Sequence, residues 1–134
     1  GTERGVREGQ AVIFRNGILV GTVEKAESRR STVLLMTSTR IRVGAEVENN
    51  SRSQGIVSGE HSLTFLMKFI PQGETIEKGQ TVVTSAVDER IPANLLIGHI
   101  SEVRFRPGDL FQEATLQPLL DIKRVRFVMI ITSR

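Results

Sequence analysis

Val6-Arg7-Glu8-Gly9-Gln10-Ala11-Val12-Ile13, followed by Ile18-Leu19-Val20-Gly21-Thr22-Val23-Glu24-Lys25-Ala26, decides the reading of this chain because the chain says it twice. The second copy is Ile76-Glu77-Lys78-Gly79-Gln80-Thr81-Val82-Val83, followed by Leu95-Leu96-Ile97-Gly98-His99-Ile100-Ser101-Glu102-Val103. Each copy has a charged turn closed by Gly-Gln, a β-branched strand, a connection, an aliphatic triplet, a glycine and an alternating strand. The second copy carries about seven extra residues in its connection. One supersecondary unit repeated at this distance predicts two small β-barrel-like domains packed side by side. We place the first at residues 1–70, incomplete at its N-terminus. The second is placed at 71–134, its last strand either closing that domain or returning to the first.

The remaining strand signals are short and frequent, as an all-β fold requires. Ala11 to Phe14 and Leu19 to Val23 flank Asn16-Gly17, a hairpin turn in which both residues tolerate positive φ. Strands are expected at Thr32 to Met36, Arg40 to Val43, around Val47-Glu48, and at Gly55 to Val57. In Ser62 to Ile70, period-two alternation puts Leu63, Phe65, Met67 and Phe69 on a buried face, with Leu66, Lys68 and Ile70 opposite. Pro71-Gln72-Gly73 interrupts the ladder and marks the junction, since proline has no N–H to donate. Strands follow at Gln80 to Ser85, Leu96 to Phe105, Leu110 to Pro118 and Val125 to Thr132, the second and third joined by the turn Arg106-Pro107-Gly108-Asp109. Only Pro118 to Arg124, with Asp121 as a cap, has room for a helical turn.

Composition narrows the chemistry. A chain of 134 residues is one ordinary domain or two very small ones that must lean on each other. There is no cysteine, which removes disulfides and thiolate metal sites, and His61 and His99 alone cannot build a histidine-rich one. No metal or other cofactor is expected. The net charge is +3, carried by 14 arginines and 4 lysines against 15 acids. Such an excess suits a nucleic acid, an anionic surface or an acidic partner, and equally plain solubility. A small nucleic-acid-binding barrel is therefore the alternative reading, but base stacking needs exposed aromatics, and the chain has no Trp, no Tyr and six Phe.

Paired six-stranded barrels also bring serine hydrolysis to mind. That chemistry needs a serine, a histidine, an orienting carboxylate and backbone oxyanion donors. The available residues are Ser58 or Ser85, His61 or His99, and one of Asp88, Asp109 and Asp121. None of these serines stands in a glycine-bracketed nucleophile loop, and Gly108-Asp109 runs on into Leu110-Phe111. The glycines open no helix and so form no phosphate loop. The sequence predicts no catalytic residues.

The second copy carries a more specific pattern. Gly79-Gln80-Thr81-Val82-Val83-Thr84-Ser85, then Ile91-Pro92 and Leu96-Ile97-Gly98, then Leu110-Phe111 through Pro118 to Asp121-Ile122 resembles the MreC family of bacterial rod-shape-determining proteins. In the first copy, Gly17-Ile18-Leu19-Val20-Gly21-Thr22-Val23 is similar to that family's glycine-bracketed aliphatic strand, and Ser31 to Thr37 to the strand after it. The resemblance runs in order over nearly the whole chain. It departs at Ala86, where the family has glycine, and at Ile91, where it has phenylalanine. Alanine there disfavours a positive φ.

The resemblance implies a non-catalytic scaffold of the cell-wall elongation machinery at the extracytoplasmic face of the inner membrane. It implies a single-pass membrane anchor and a coiled coil outside this sequence, and self-association into dimers or filaments. The partners it implies are the membrane protein MreD and the elongation-specific penicillin-binding transpeptidase. No nucleic acid is expected. The residues available as a partner surface are Leu66 and Ile70 on their strand and Arg29, Arg30, Arg104 and Arg106 in loops. Packing between the two domains for the aliphatic pair, and plain solvation for the arginines, are the competing explanations.

Overall fold

The turns Arg7–Gln10 and Glu77–Gln80 are built alike. In the first, Gln10 Oε1 accepts the Arg7 amide at 2.7 Å, and in the second Gln80 Oε1 accepts the Glu77 amide at 2.8 Å. Gly9 and Gly79 close the turns at φ 86° and 94°, a region glycine enters without strain. The Gly9 amide donates to the Val23 carbonyl at 2.8 Å and the Gly79 amide to that of Ile100 at 2.7 Å. The repeat is thus structural down to individual hydrogen bonds.

The computed structural model describes residues 5–15, 17–61, 63–122 and, for the backbone, 129–130. Among them the elements are strands: β1 (Ala11–Phe14), β2 (Ile18–Ala26), β3 (Ser31–Leu35), β4 (Val43–Val47), β5 (Gln54–Gly59), β6 (Phe65–Pro71), β7 (Thr81–Thr84), β8 (Leu96–Arg104), β9 (Phe111–Pro118) and β10 (Met129–Ile130). Six of them close on themselves in the order β4-β5-β6-β9-β8-β7, with β7 returning to β4. The other four form a sheet, β10-β1-β2-β3, joined to the barrel where Ile18 of β2 pairs in parallel with Leu96 of β8.

Register shows which strands are equivalent. Val12 faces Gly21 and Val82 faces Gly98, and each pair is followed by the same bulge. Val23 faces Val33 and Ile100 faces Leu116, again with the same bulge immediately after. β10 lies on β1 with Val12 opposite Ile130, as β4 lies on β7 with Val47 opposite Val82. The sheet therefore matches strands β4, β7, β8 and β9 of the barrel, whose β5–β6 hairpin has no counterpart among the described residues. Its small cluster of Val6, Val12, Val23, Ala26 and Val33 occupies the places of Ile76, Val82, Ile100, Val103 and Leu116 in the barrel interior.

The domain boundary expected between residues 70 and 71 does not follow the pairing. Pro71 ends β6 opposite Phe111, and its carbonyl accepts Gln112 Nε2 at 3.0 Å. A proline at a strand end sacrifices no ladder bond, so it does not divide the chain there. The barrel takes three strands from each side of Pro71, and the repeated unit is split by the insertion of β4–β6. Of the expected strand Val125 to Thr132, only Met129 and Ile130 are described, and residues 123–124 of the expected helical turn lie outside the described residues. Of the strand expected from Arg40 to Val43, only Val43 belongs to β4; Arg40 ends a turn, and residues 41–42 are irregular.

The seven-residue insertion is stapled down from both ends. Thr84 Oγ1 donates to the Pro92 carbonyl at 2.7 Å and accepts the Leu95 amide at 2.9 Å, while Ile91 is buried. Ala86 keeps a negative φ, so the local turn requires no glycine there. Within the insertion, Asp88 holds Arg90 through two side-chain bonds of 3.0 and 2.9 Å, and the guanidinium lies over Gly9, where a Cβ would collide with it.

The Arg90 side-chain hydrogen bonds hold the Asp88 carboxyl below its ordinary value of 3.8. A carboxyl depressed in the fold stabilises it above the unfolded-state pKa and loses that contribution as pH falls through the folded one. Because Arg90 is exposed and Asp88 only partly buried, the effect is small. Asp88→Asn should therefore narrow the difference in melting temperature between pH 7 and pH 3. An unchanged difference would show that the clamp contributes nothing to folding.

Candidate partner-binding surface

β6 begins as its alternation predicts, with Phe65 and Met67 buried. Between Met67 and Ile70 its pairing with β9 slips, and Phe69 enters the left-handed region at φ 65°. One extra residue in a strand reverses the facing of everything after it. Ile70, expected on the open face as a partner contact, is fully buried, and Phe69, expected in the core, is 55% exposed. Leu63, also expected inside, is exposed as well, because it precedes the strand. A phenylalanine held at positive φ on a surface is a strained arrangement, costing about 1–2 kcal/mol.

Phe69 does not stand alone. Its ring meets that of Phe111 edge to face, with centroids 5.7 Å apart. The β8–β9 hairpin brings further apolar groups beside this pair. Gly108 at φ 92° and the Asp109 amide bonded to the Arg106 carbonyl at 3.1 Å form its tip, which presents Phe105 and Leu110, the latter 81% exposed. These side chains line a cavity of about 890 Å³ with Lys68, Val103, Arg104, Asp109 and Glu113. Arg104 is fixed by Glu102 at 3.2 Å, Glu113 at 3.7 Å and Thr115 Oγ1 at 3.0 Å. Gln72 Nε2 ties the hairpin to the end of β6 through the Arg106 carbonyl at 3.2 Å, and Gln112 Nε2 reaches the Glu74 carbonyl at 2.6 Å.

Apolar side chains gathered around a concavity with charges of both signs at its edge are the make-up of a protein-binding patch: aromatic anchors within a polar rim. Of the residues expected from sequence as a partner surface, Arg104 and Arg106 line this cavity. Leu66 is half-buried in the pairing of β6 with Thr115 of β9. Arg29 and Arg30 are exposed on the β2–β3 connection and do not line it, Arg30 pairing with Glu27 at 3.7 Å. Sequence reasoning missed Phe69 and Phe105. Phe105 was findable, because a large apolar residue beside an Arg-Pro-Gly-Asp turn has no core to reach.

The motif positions divide in the same way. Thr84, Pro92, Gly79, Gly98 and Gly21 set turns and close strand approaches; Gly17 turns at φ 91°; and Pro118 opposes Gly98. Leu110 and Phe111 lie on the aromatic surface. Asp121 is exposed beside Pro118 in a second, smaller cleft of about 300 Å³. Ser85 is buried, His99 is exposed on β8, and no group of three metal-ligating side chains occurs among the described residues.

The family model described as rod shape-determining protein MreC, barrel core, matches residues 1–132. The cell shape-determining protein MreC of Listeria monocytogenes is 33% identical over 135 residues, covering 98% of this chain and 45% of the relative. The solved MreC structure from the same organism superposes with a TM-score of 0.91 at 30% identity, over 99% of this chain and 65% of that one. Two more distant structures share the fold alone. One is a complex between penicillin-binding protein PBP2 and MreC from Helicobacter pylori, with TM-score 0.78 at 19% identity, over 93% and 79% of the chains. The other is the major periplasmic domain of a cell shape-determining filament MreC, with TM-score 0.79 at 22% identity, over 90% and 75%. This chain spans less than half the length of the curated relative. With a shared barrel core, a shared fold and an identity of one residue in three over almost its full length, the chain belongs to the MreC family of rod shape-determining proteins.

Proposed function

We propose that this chain is the extracytoplasmic core of a non-catalytic scaffold of cell-wall elongation, which maintains rod shape by organising peptidoglycan synthases. The observation that carries the reading is the aromatic surface around Phe69, Phe105, Leu110 and Phe111, in a chain of this family. Its partner in this reading is an elongation-specific penicillin-binding transpeptidase, a choice supported by the Helicobacter pylori complex. Self-association into dimers or filaments is supported by the filament-forming relative. Association with MreD and a single-pass anchor outside these residues complete the proposal. The nucleic-acid alternative is not favoured: the exposed aromatics sit among both Lys68, Arg104 and Arg106 and Asp109 and Glu113, rather than in a uniformly basic groove.

Calorimetric titration of the folded chain with the soluble ectodomain of the transpeptidase from the same organism tests this directly. Saturable binding at one site is expected. Two folded proteins that ignore each other at high micromolar concentration would overturn the docking role.

A further inference from the structure

β9 points Gln112, Ala114 and Leu116 into the barrel, so the polar side chain of Gln112 is buried at one end of it. A buried amide must pair its N–H groups. Gln112 Nε2 donates to the Pro71 carbonyl at 3.0 Å and to the Glu74 carbonyl at 2.6 Å. Both acceptors follow Phe69 closely in the chain, so the bonds fix the segment that leaves β6. Met67 faces Ala114 and Ile70 faces Gln112, which leaves Lys68 and Phe69 together opposite Glu113. In a ladder without this bulge Phe69 would take the inner place opposite Gln112, and the Pro71 carbonyl would move on by one residue, away from the amide. β5 leaves room on the other flank: a Cβ at Gly55 would stand 2.8 Å from the Lys68 carbonyl oxygen.

Gln72 reaches the opposite way. Its backbone amide donates to the Leu110 carbonyl at 3.0 Å, and its Nε2 to the Arg106 carbonyl at 3.2 Å. Gln112 of β9 thus holds the segment that carries Phe69, while Gln72, just past β6, holds the hairpin that carries Phe105 and Leu110. The ion pairs of Arg104 with Glu102 and Glu113 stay within β8 and β9 and do not reach β6.

We propose that Gln112 and Gln72 are positioning residues of the docking surface, a reciprocal latch that holds the Phe69 ring outward against Phe111 before the transpeptidase arrives. The proposal rests on the docking role read above and names what sets its geometry. A phenylalanine at φ 65° persists only where its surroundings enforce it. The buried amide of Gln112 supplies that enforcement. An apolar residue at 112 would remove it and free the alternation Phe65, Met67, Phe69 to seat the third ring inside. An anchor already in place spares association the cost of ordering it.

Proton NMR and transpeptidase titration on the 134-residue chain test this together. Gln112→Leu keeps nearly the same volume and removes both donors. It should abolish the contact between the Phe69 and Phe111 rings and the strong intraresidue amide–Hα contact that marks a positive φ at Phe69. Docking of the soluble transpeptidase ectodomain should weaken about tenfold, because the anchor is displaced. In a Phe69→Ala background the same substitution should change docking by less than about twofold, since the two residues act as one unit. General loss of stability would weaken docking equally in both backgrounds. The latch is overturned if Gln112→Leu keeps the ring contact and the positive φ, or if its effect on docking is the same with and without the Phe69 ring. Gln72→Leu, at a half-buried position whose backbone bond to Leu110 survives, decides the matter should Gln112→Leu not fold. An unchanged ring contact with unchanged docking in that variant overturns the latch. If the wild-type chain ignores the transpeptidase, the docking role falls by itself, and the ring contact in the two variants still decides whether the glutamines position Phe69.

Discussion

Phe69→Ala is expected to weaken transpeptidase docking about thirtyfold or more while leaving the chain folded. Aromatic anchors at interface centres typically contribute 2 kcal/mol or more when truncated, and 1.4 kcal/mol is a factor of ten, hence roughly thirtyfold. The fold should not notice, because this ring is more than half exposed and its core place is taken by Ile70. Phe69→Gly sharpens the test. Glycine removes the same ring and also relieves the strain of φ 65°, so it should raise stability by about 1 kcal/mol while abolishing docking equally. A residue that destabilises its own protein and improves its partner's grip shows opposite signs in urea melts and in titration. If both variants bind like wild type, the aromatic surface is not the docking site.

Gly98→Ala is expected to be severely destabilising for a single added methyl, costing about 4 kcal/mol or more. A Cβ at Gly98 would stand 2.5 Å from the Gln117 carbonyl oxygen of β9, and neither strand can retreat without opening the barrel. Gly21, its counterpart in the sheet, meets the Leu34 carbonyl of β3 in the same way. Gly73→Ala is the control: nothing lies within 4 Å of its would-be Cβ, and its stability should stay near wild type. Urea midpoints measure all three. A Gly98→Ala midpoint near that of wild type would mean that β8 and β9 tolerate separation, against the closure of the barrel.

The repeat made much of this fold legible, since turn chemistry and period-two alternation are local. Gly9-Gln10 and Gly79-Gln80 announce their turns, and Val82-Val83 and Leu96 to Val103 announce strands, because backbone freedom and β-branching act within a few residues. What sequence could not supply was which copy pairs with what. The same two-copy pattern fits consecutive modules and a unit split by an insertion, and only the pairing of β4 with β7 and of β6 with β9 distinguishes them. The site was lost at one position for a related reason. Ser62 to Ile70 alternates without a break in sequence, and nothing in Met67-Lys68-Phe69-Ile70 marks the bulge that exchanges Phe69 with Ile70. A non-glycine residue at positive φ is set by its surroundings, here the β9 register, not by its own preference. Arg106 was legible as an exposed residue because a turn between two strands faces solvent, whereas Arg104 lines the same cavity from the end of β8.

The return of β10 to β1 constrains the order in which the molecule can assemble. All six barrel strands lie between Val43 and Pro118, so the barrel closes on contacts internal to that stretch. The pairing of Val12 with Ile130 instead joins positions near the two ends of the sequence. Loop-closure entropy grows only logarithmically with the intervening chain, yet an ordered barrel shortens that loop by bringing its own ends together. During synthesis, β1 to β3 emerge first and still wait for the last strand to be made. The strands of this sheet that are made before the barrel are thus among the last to reach their final pairing, and contact order, rather than position in the chain, sets when the β10-β1-β2-β3 sheet is complete.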